Sequence, residues 1–295
     1  MKRLAAALLA IAAVPAGTAP PAPLPATLSA TGFHDVAKTA FTPAYPLWSD
    51  GTLKRRWIHL PPGAAIDKSD PDAWRFPVGT KLWKQFGYGA APVETRLIER
   101  LPGGWRFATY VWNSEGTQAT LAPEDGAELA VPGAPGGRYA VPSRNDCLAC
   151  HEGPAVPVLG YSAVQLEPGA VAAASPAERA ALGYLHGNCG HCHNDGALAG
   201  VELVLAQKAS DPERARARVL ASLVGRDRRF RERRAGAAQR VVPGDPGASV
   251  LVQRMASANP MARMPPLGVQ VPDRDGIAAV ERWIAHELQP LETPQ

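Results

Sequence analysis

The chain has 295 residues, 46% of them apolar and 20% charged, with a formal net charge of +4. That length suits roughly two domains with ordinary buried cores. The charge bias is too weak to argue for a nucleic-acid partner. In chain order, Lys2 and Arg3 precede an apolar run over 4–14, and small residues follow over 15–19. This pattern predicts a secretory signal peptide over 1–19, with a retained N-terminal anchor as the alternative. No later segment has about 18 consecutive apolar residues, so no integral membrane span is expected in the mature chain. Residues 20–32 are rich in Pro, Ala and Thr and are expected to form a flexible leader.

A β-rich domain is expected over 33–145. Segments 53–60, 80–86, 93–101 and 105–112 alternate polar residues with aromatic and β-branched ones. Pro61-Pro62-Gly63, Pro77, Gly87 and Pro102-Gly103-Gly104 punctuate them, and Leu101-Pro-Gly-Gly-Trp105 predicts a hairpin turn. Six of the seven tryptophans lie in this part, which suggests the packing of an antiparallel β-sandwich.

The four cysteines fall in two pentapeptides, Cys147-Leu-Ala-Cys150-His151 and Cys189-Gly-His-Cys192-His193. Cys-x-x-Cys-His is the signature for covalent attachment of c-type haem. Two thiols at this spacing can form thioethers to the two vinyl groups of one porphyrin, and the adjacent histidine becomes the iron's proximal ligand. Two haems c are therefore expected, held by Cys147 and Cys150 with His151, and by Cys189 and Cys192 with His193. A tetrathiolate zinc site or two disulfides would also use four cysteines, but neither requires a histidine directly after each pair. Pairing these motifs with the signal peptide over 1–19 leads to the expectation of periplasmic export.

The segment 146–174 is the expected first haem-binding stretch. At Ser175-Pro176-Ala177-Glu178 the pattern turns helical, with a capping residue and proline at the first helical position. The helix should run toward Gly187 and deliver Cys189 just past its end. A second helix is expected after Pro272-Asp273, where Ile277, Val280, Trp283, Ile284 and Leu288 recur at helical spacing. Between them, Arg263-Met264-Pro265-Pro266 places a methionine beside proline, 71 residues after His193. This order of helix, motif, methionine and terminal helix over 175–290 resembles a class I cytochrome c domain. That resemblance implies His193 as proximal and Met264 as distal ligand, with Met255 and Met261 as competitors. The first haem has no methionine before Cys189. Its distal ligand would come from His34, His59, His186 or a downstream methionine, or the iron would be five-coordinate.

The chain also resembles a family of bacterial dihaem c-type cytochromes with an N-terminal β-domain. The stretches carrying this are Tyr45-Pro-Leu-Trp-Ser-Asp50, Lys54-Arg-Arg-Trp-Ile-His59, Trp74-Arg-Phe-Pro-Val-Gly-Thr80, Glu94-Thr-Arg-Leu97, Thr109-Tyr-Val-Trp-Asn113, Val141-Pro-Ser-Arg-Asn-Asp-Cys-Leu-Ala-Cys-His151, Val158-Leu-Gly-Tyr161, Gly187-Asn-Cys-Gly-His-Cys-His-Asn194, Pro243-Gly-Asp-Pro-Gly-Ala-Ser249 and Met264-Pro-Pro266. The implied fold class is α+β and multidomain: an antiparallel β-sandwich-like domain followed by an all-α cytochrome c-like domain. The expected function is one-electron transfer between redox partners. The alternatives are a peroxidase-like dihaem enzyme with one open haem, and a β-domain binding module that carries a cytochrome. Segment 213–240 holds ten arginines against three acids. A solvated surface accounts for them most simply, and docking of an acidic redox partner is the functional account.

Overall fold

A computed structural model describes residues 23–196, 202–226 and 239–288. The signal-peptide segment, the start of the leader and the most arginine-dense part of 213–240 lie outside the described residues. The main feature is one six-stranded antiparallel sheet whose strands follow chain order. They are β1 (Thr39–Ala40), β2 (Leu53–His59), β3 (Lys81–Tyr88), β4 (Ala91–Leu101), β5 (Gly104–Trp112) and β6 (Ala119–Leu121). The four expected strands are β2 to β5, and the Pro102-Gly103 turn joins β4 to β5 with Leu101 opposite Gly104. A ribbon of β7 (Ala127–Ala130) and β8 (Arg138–Val141) leads into the helices. These are α1 (Arg144–His151), α2 (Ala163–Leu166), α3 (Pro176–Cys189), α4 (Pro212–Leu223), α5 (Val250–Met255) and α6 (Arg274–His286). Among the described residues no helix is long and apolar enough to cross a membrane.

Strand register sorts the side chains onto two faces. One face presents Trp83, Leu97, Ala108 and Tyr110, and Leu28 and Phe33 from the preceding chain cover it. Trp83 donates its indole N–H to the Thr31 hydroxyl at 3.1 Å. The other face presents Ile58 and Leu82, which pack under Trp74, Phe76, Val158 and Ala163. The only other sheet among the described residues is the two-stranded β7–β8 ribbon, whose Tyr139 and Val141 pack with Val93 and Val111, so the expected β-sandwich is corrected to one six-stranded sheet covered by this ribbon, loops and short helices. Period-two alternation shows that both faces are covered, not what covers them.

The expectation of an all-α cytochrome c-like domain is also overturned. The helices are few and short, with long irregular stretches between them, and the sheet is the dominant element. Helices α3, α4, α5 and α6 share one apolar cluster, in which Val280, Trp283 and Ile284 of α6 are fully buried. Each such side chain contributes roughly 2–3 kcal/mol. That cluster, however, takes Val171, Leu205 and Val241 from non-helical chain. The helices also depend on the segment leading into the sheet. On α3, a Cβ at Gly183 would lie 1.9 Å from the Tyr45 ring, and one at Gly187 would lie 2.2 Å from the Tyr45 carbonyl. The two glycines thus form the groove that Tyr45 fills. Beside them, the Asn188 side chain accepts the Trp48 N–H at 2.7 Å and donates to the Pro46 carbonyl at 3.4 Å. Asp50 accepts the N–H groups of Gln270 and Val271, at 2.8 and 3.0 Å. The Tyr45–Asp50 stretch therefore joins sheet and helices into one body.

Candidate functional site

The first motif is helical throughout, as part of α1. Ser143 caps that helix: its hydroxyl accepts the Asp146 N–H at 3.1 Å, while the Asp146 carboxylate accepts the Ser143 N–H at 2.9 Å. This reciprocal pair starts a helix that lacks a strong apolar stripe. A helix places residues at i, i+3 and i+4 on one face, so Cys147, Cys150 and His151 point the same way. All three line a cavity of about 300 Å³ between α1, the sheet and the 263–270 loop.

His151 is set up as a ligand. Its Nδ1–H donates to the Pro157 carbonyl at 2.5 Å, which leaves the Nε2 lone pair free. Burial pushes its pKa down to about 4, and the neighbouring Lys84, Arg96 and His191 act in the same direction. The ring is therefore neutral at physiological pH. Phe107 of β5 packs against it, with ring centroids 4.9 Å apart.

The second motif straddles the end of α3. Cys189 is the last residue of the helix rather than the first beyond it. A tight turn follows, in which the Cys192 and His193 N–H groups both donate to the Cys189 carbonyl, at 3.0 and 2.8 Å. The Asn194 amide holds the turn by donating to the Gly190 and His191 carbonyls, at 3.1 and 2.9 Å. Cys189 packs against the helical cluster, and burial pushes its thiol up to about 12. Burial also lowers the His193 pKa. The Leu203 backbone lies beside this ring and favours a proton on it, yet Nδ1 has no hydrogen bond of good geometry.

The two motifs touch. The Cys192 sulfur lies 3.8 Å from the Ala149 carbonyl inside the first motif. The Cys150 thiol donates to the Cys192 sulfur, a contact that is the largest influence raising Cys150 to about 12 and lowering Cys192. All four cysteines are free thiols. Among the described residues no three His, Cys, Asp or Glu side chains gather as a metal-holding group, so the sulfurs do not converge as a zinc tetrathiolate requires. Two thiols and a neutral imidazole on one helical face, with Nδ1 tethered and a cavity in front, fit a covalently attached c-type haem at the first motif. At the second motif the donor set, Cys189, Cys192 and an adjacent His193 whose pKa burial lowers, fits the same group, though His193 Nδ1 lacks the tether that His151 has.

The remaining candidates scatter. Met264 is half-buried, and its N–H donates to the Arg254 carbonyl at 2.9 Å. Its neighbours Arg263, Pro265 and Pro266 line the first cavity, whereas Met264 itself does not. Met255 is buried in the helical cluster, and Met261 is 82% exposed. His34 is exposed, and His59 interacts through Nδ1 with the Ala37 carbonyl at 2.8 Å. His186 accepts the Gln207 N–H on Nδ1 at 3.1 Å, which places its proton on Nε2. None of these three histidines lines the cavity of His151, but His191 does. Sequence reasoning missed His191 in this place, and it missed the cations on the cavity's sheet side, Arg56, Lys84 and Arg96. No family model, no curated protein and no solved structure matches this chain.

Proposed function

We propose that the chain is an exported, periplasmic dihaem c-type cytochrome that passes electrons one at a time between redox protein partners. Cys147 and Cys150 hold one haem with His151 as proximal ligand, and Cys189 and Cys192 hold the other with His193. Met264 is the distal residue proposed for the second. When bound, the haems supply reversible one-electron chemistry. The observation that carries this reading is the contact between the motifs, where the Cys192 sulfur lies 3.8 Å from the Ala149 carbonyl. It brings the attachment points of both groups together, as a relay within one chain needs. The Pro157 carbonyl orients His151 and keeps its Nε2 available.

The test is optical and paramagnetic resonance spectroscopy of the purified protein from a host that matures c-type haem. Two low-spin species are expected, and Met264→Ala should remove the near-infrared band of a His/Met haem without loss of haem. If Met261→Ala removes that band and Met264→Ala does not, the ligand assignment is wrong.

A second reading, a peroxidase-like dihaem enzyme, is favoured by one observation: His34, His59 and His186 all lie off the cavity lined by His151. Carbon monoxide binding to the ferrous protein separates the two. Little binding supports the carrier, and fast binding with a dominant high-spin signal supports the enzyme.

A further inference from the structure

The sheet face beneath the first motif carries charges that neither the strands nor the cysteine motifs require. Arg56 of β2 stands directly opposite Lys84 of β3, and Lys84 stands directly opposite Arg96 of β4. Residues so paired have Cβ atoms about 5 Å apart, and like charges in that position repel. The row spans two strand spacings, about 10 Å. All three residues line the cavity in front of Cys147, Cys150 and His151. Arg56 is only 7% exposed.

Protein anions do not account for the row. Glu94 is fully buried and pairs with Arg96 at 2.5 Å. Among the described residues no ion pair is made by Arg56 or Lys84. The two carboxylates that line the cavity, Asp50 and Asp146, are engaged by main-chain donors: Asp50 by Gln270 and Val271, Asp146 by Ser143. The Phe86 ring lies under Lys84 at 5.0 Å and under Arg96 at 4.3 Å, a partial compensation through its π face. Lys54, next along β2, adds a fourth cation and is occupied by the Leu47 carbonyl. Burial holds the Lys84 ammonium well below its ordinary pKa, and Lys54, Arg56 and Arg96 push it the same way, with Glu94 opposing them only in part. Without an anion, such a row is relieved by proton loss from Lys84; an anion joining it would offset the desolvation and keep the row charged.

We propose that Arg56, Lys84 and Arg96 form an oxyanion site that takes carboxylates. The guanidinium groups offer forked donors and the ammonium a point charge between them. The length of the row suits two carboxylates better than one. The carboxylates have two sources: the propionates of a porphyrin attached at Cys147 and Cys150, or a free dicarboxylate entering the cavity. The first source rests on the haem attachment proposed above; the anion chemistry of the row does not.

The test uses the full-length, haem-loaded protein and the variants Lys84→Met, Arg56→Met and Lys84→Arg. Lys84→Gln serves where Lys84→Met does not fold. For the porphyrin source, resonance Raman bands of the propionate bending modes should shift for one haem in Lys84→Met and Arg56→Met, and return toward wild type in Lys84→Arg. For the free source, calorimetry with succinate should show binding to the wild type that weakens at least tenfold in the two Met variants. Either result supports the site and identifies its occupant. Unchanged propionate bands together with no succinate binding would overturn it. If denatured mass shows no haem on Cys147 and Cys150, the attachment reading fails separately. The succinate arm then decides the anion site alone.

Discussion

The same pentapeptide sits in two different surroundings. At Cys147–His151 it is a continuous helix laid over a sheet, facing a cavity with three cations on its floor. At Cys189–His193 it is a helix end and a turn backed by an aliphatic cluster, with Leu182, Leu185 and Trp283 fully buried behind it. The imidazoles differ too: His151 is tethered to the Pro157 carbonyl, and His193 has an orphaned Nδ1. The same five residues therefore do not set the electrostatics of the place they occupy. The environment of the first site favours a group with negative charge, while that of the second favours an apolar edge.

If the two sites are separate, each can be removed alone. Cys147→Ala with Cys150→Ala should halve the haem measured by a pyridine haemochrome assay, and the remaining haem should keep its near-infrared band. Loss of both haems would mean that the contact at Cys150 and Cys192 makes them one unit.

Both regions should be acid-sensitive, the first through His151 and the second through His186, whose rings burial holds neutral. Burial sets the His186 pKa at about 4, below an unfolded value of about 6.5. Folding thus holds this ring neutral, and protonation favours the unfolded chain. Its contribution is complete above about pH 6.5 and is lost as pH falls toward 4, by about 3 kcal/mol. Denaturant titrations across this range should show the loss. His186→Asn, whose amide oxygen can still accept the Gln207 N–H, should reduce the slope and leave the part due to His151; an unchanged slope would rule His186 out as a source.

A smaller effect tests the seam between the regions. Gly187→Ala puts a methyl against the Tyr45 carbonyl and should destabilise by about 1–3 kcal/mol. The same change at Gly169, where a Cβ meets nothing within 4 Å, should be close to neutral. Equal effects at the two positions would mean that Tyr45 does not seat in the α3 groove.

Much of the sheet was legible before the structure. Strands β2 to β5 follow the alternation of Trp57, Trp83, Leu97 and Tyr110 with polar neighbours, and the Pro102-Gly103 turn separates two of them. The helix starts at Ser175 and Asp273 were equally plain, and each side chain accepts the backbone N–H three residues on. Helix α1 was overlooked because Arg144–His151 has no apolar repeat; the usable signal was Ser143 three residues before Asp146. The all-α domain failed for a different reason. The order of helices along the chain does not show that α3 needs Tyr45 and Trp48, some 140 residues earlier, to complete its surface. The cation row was hidden because Arg56, Lys84 and Arg96 become neighbours only through the register of three strands.

The central claim is that both pentapeptides carry covalent haem, and intact mass under denaturing conditions tests it most directly. The mature chain from a host that matures c-type haem should exceed its polypeptide mass by two haem groups. A gain of one haem, or none, would contradict the account.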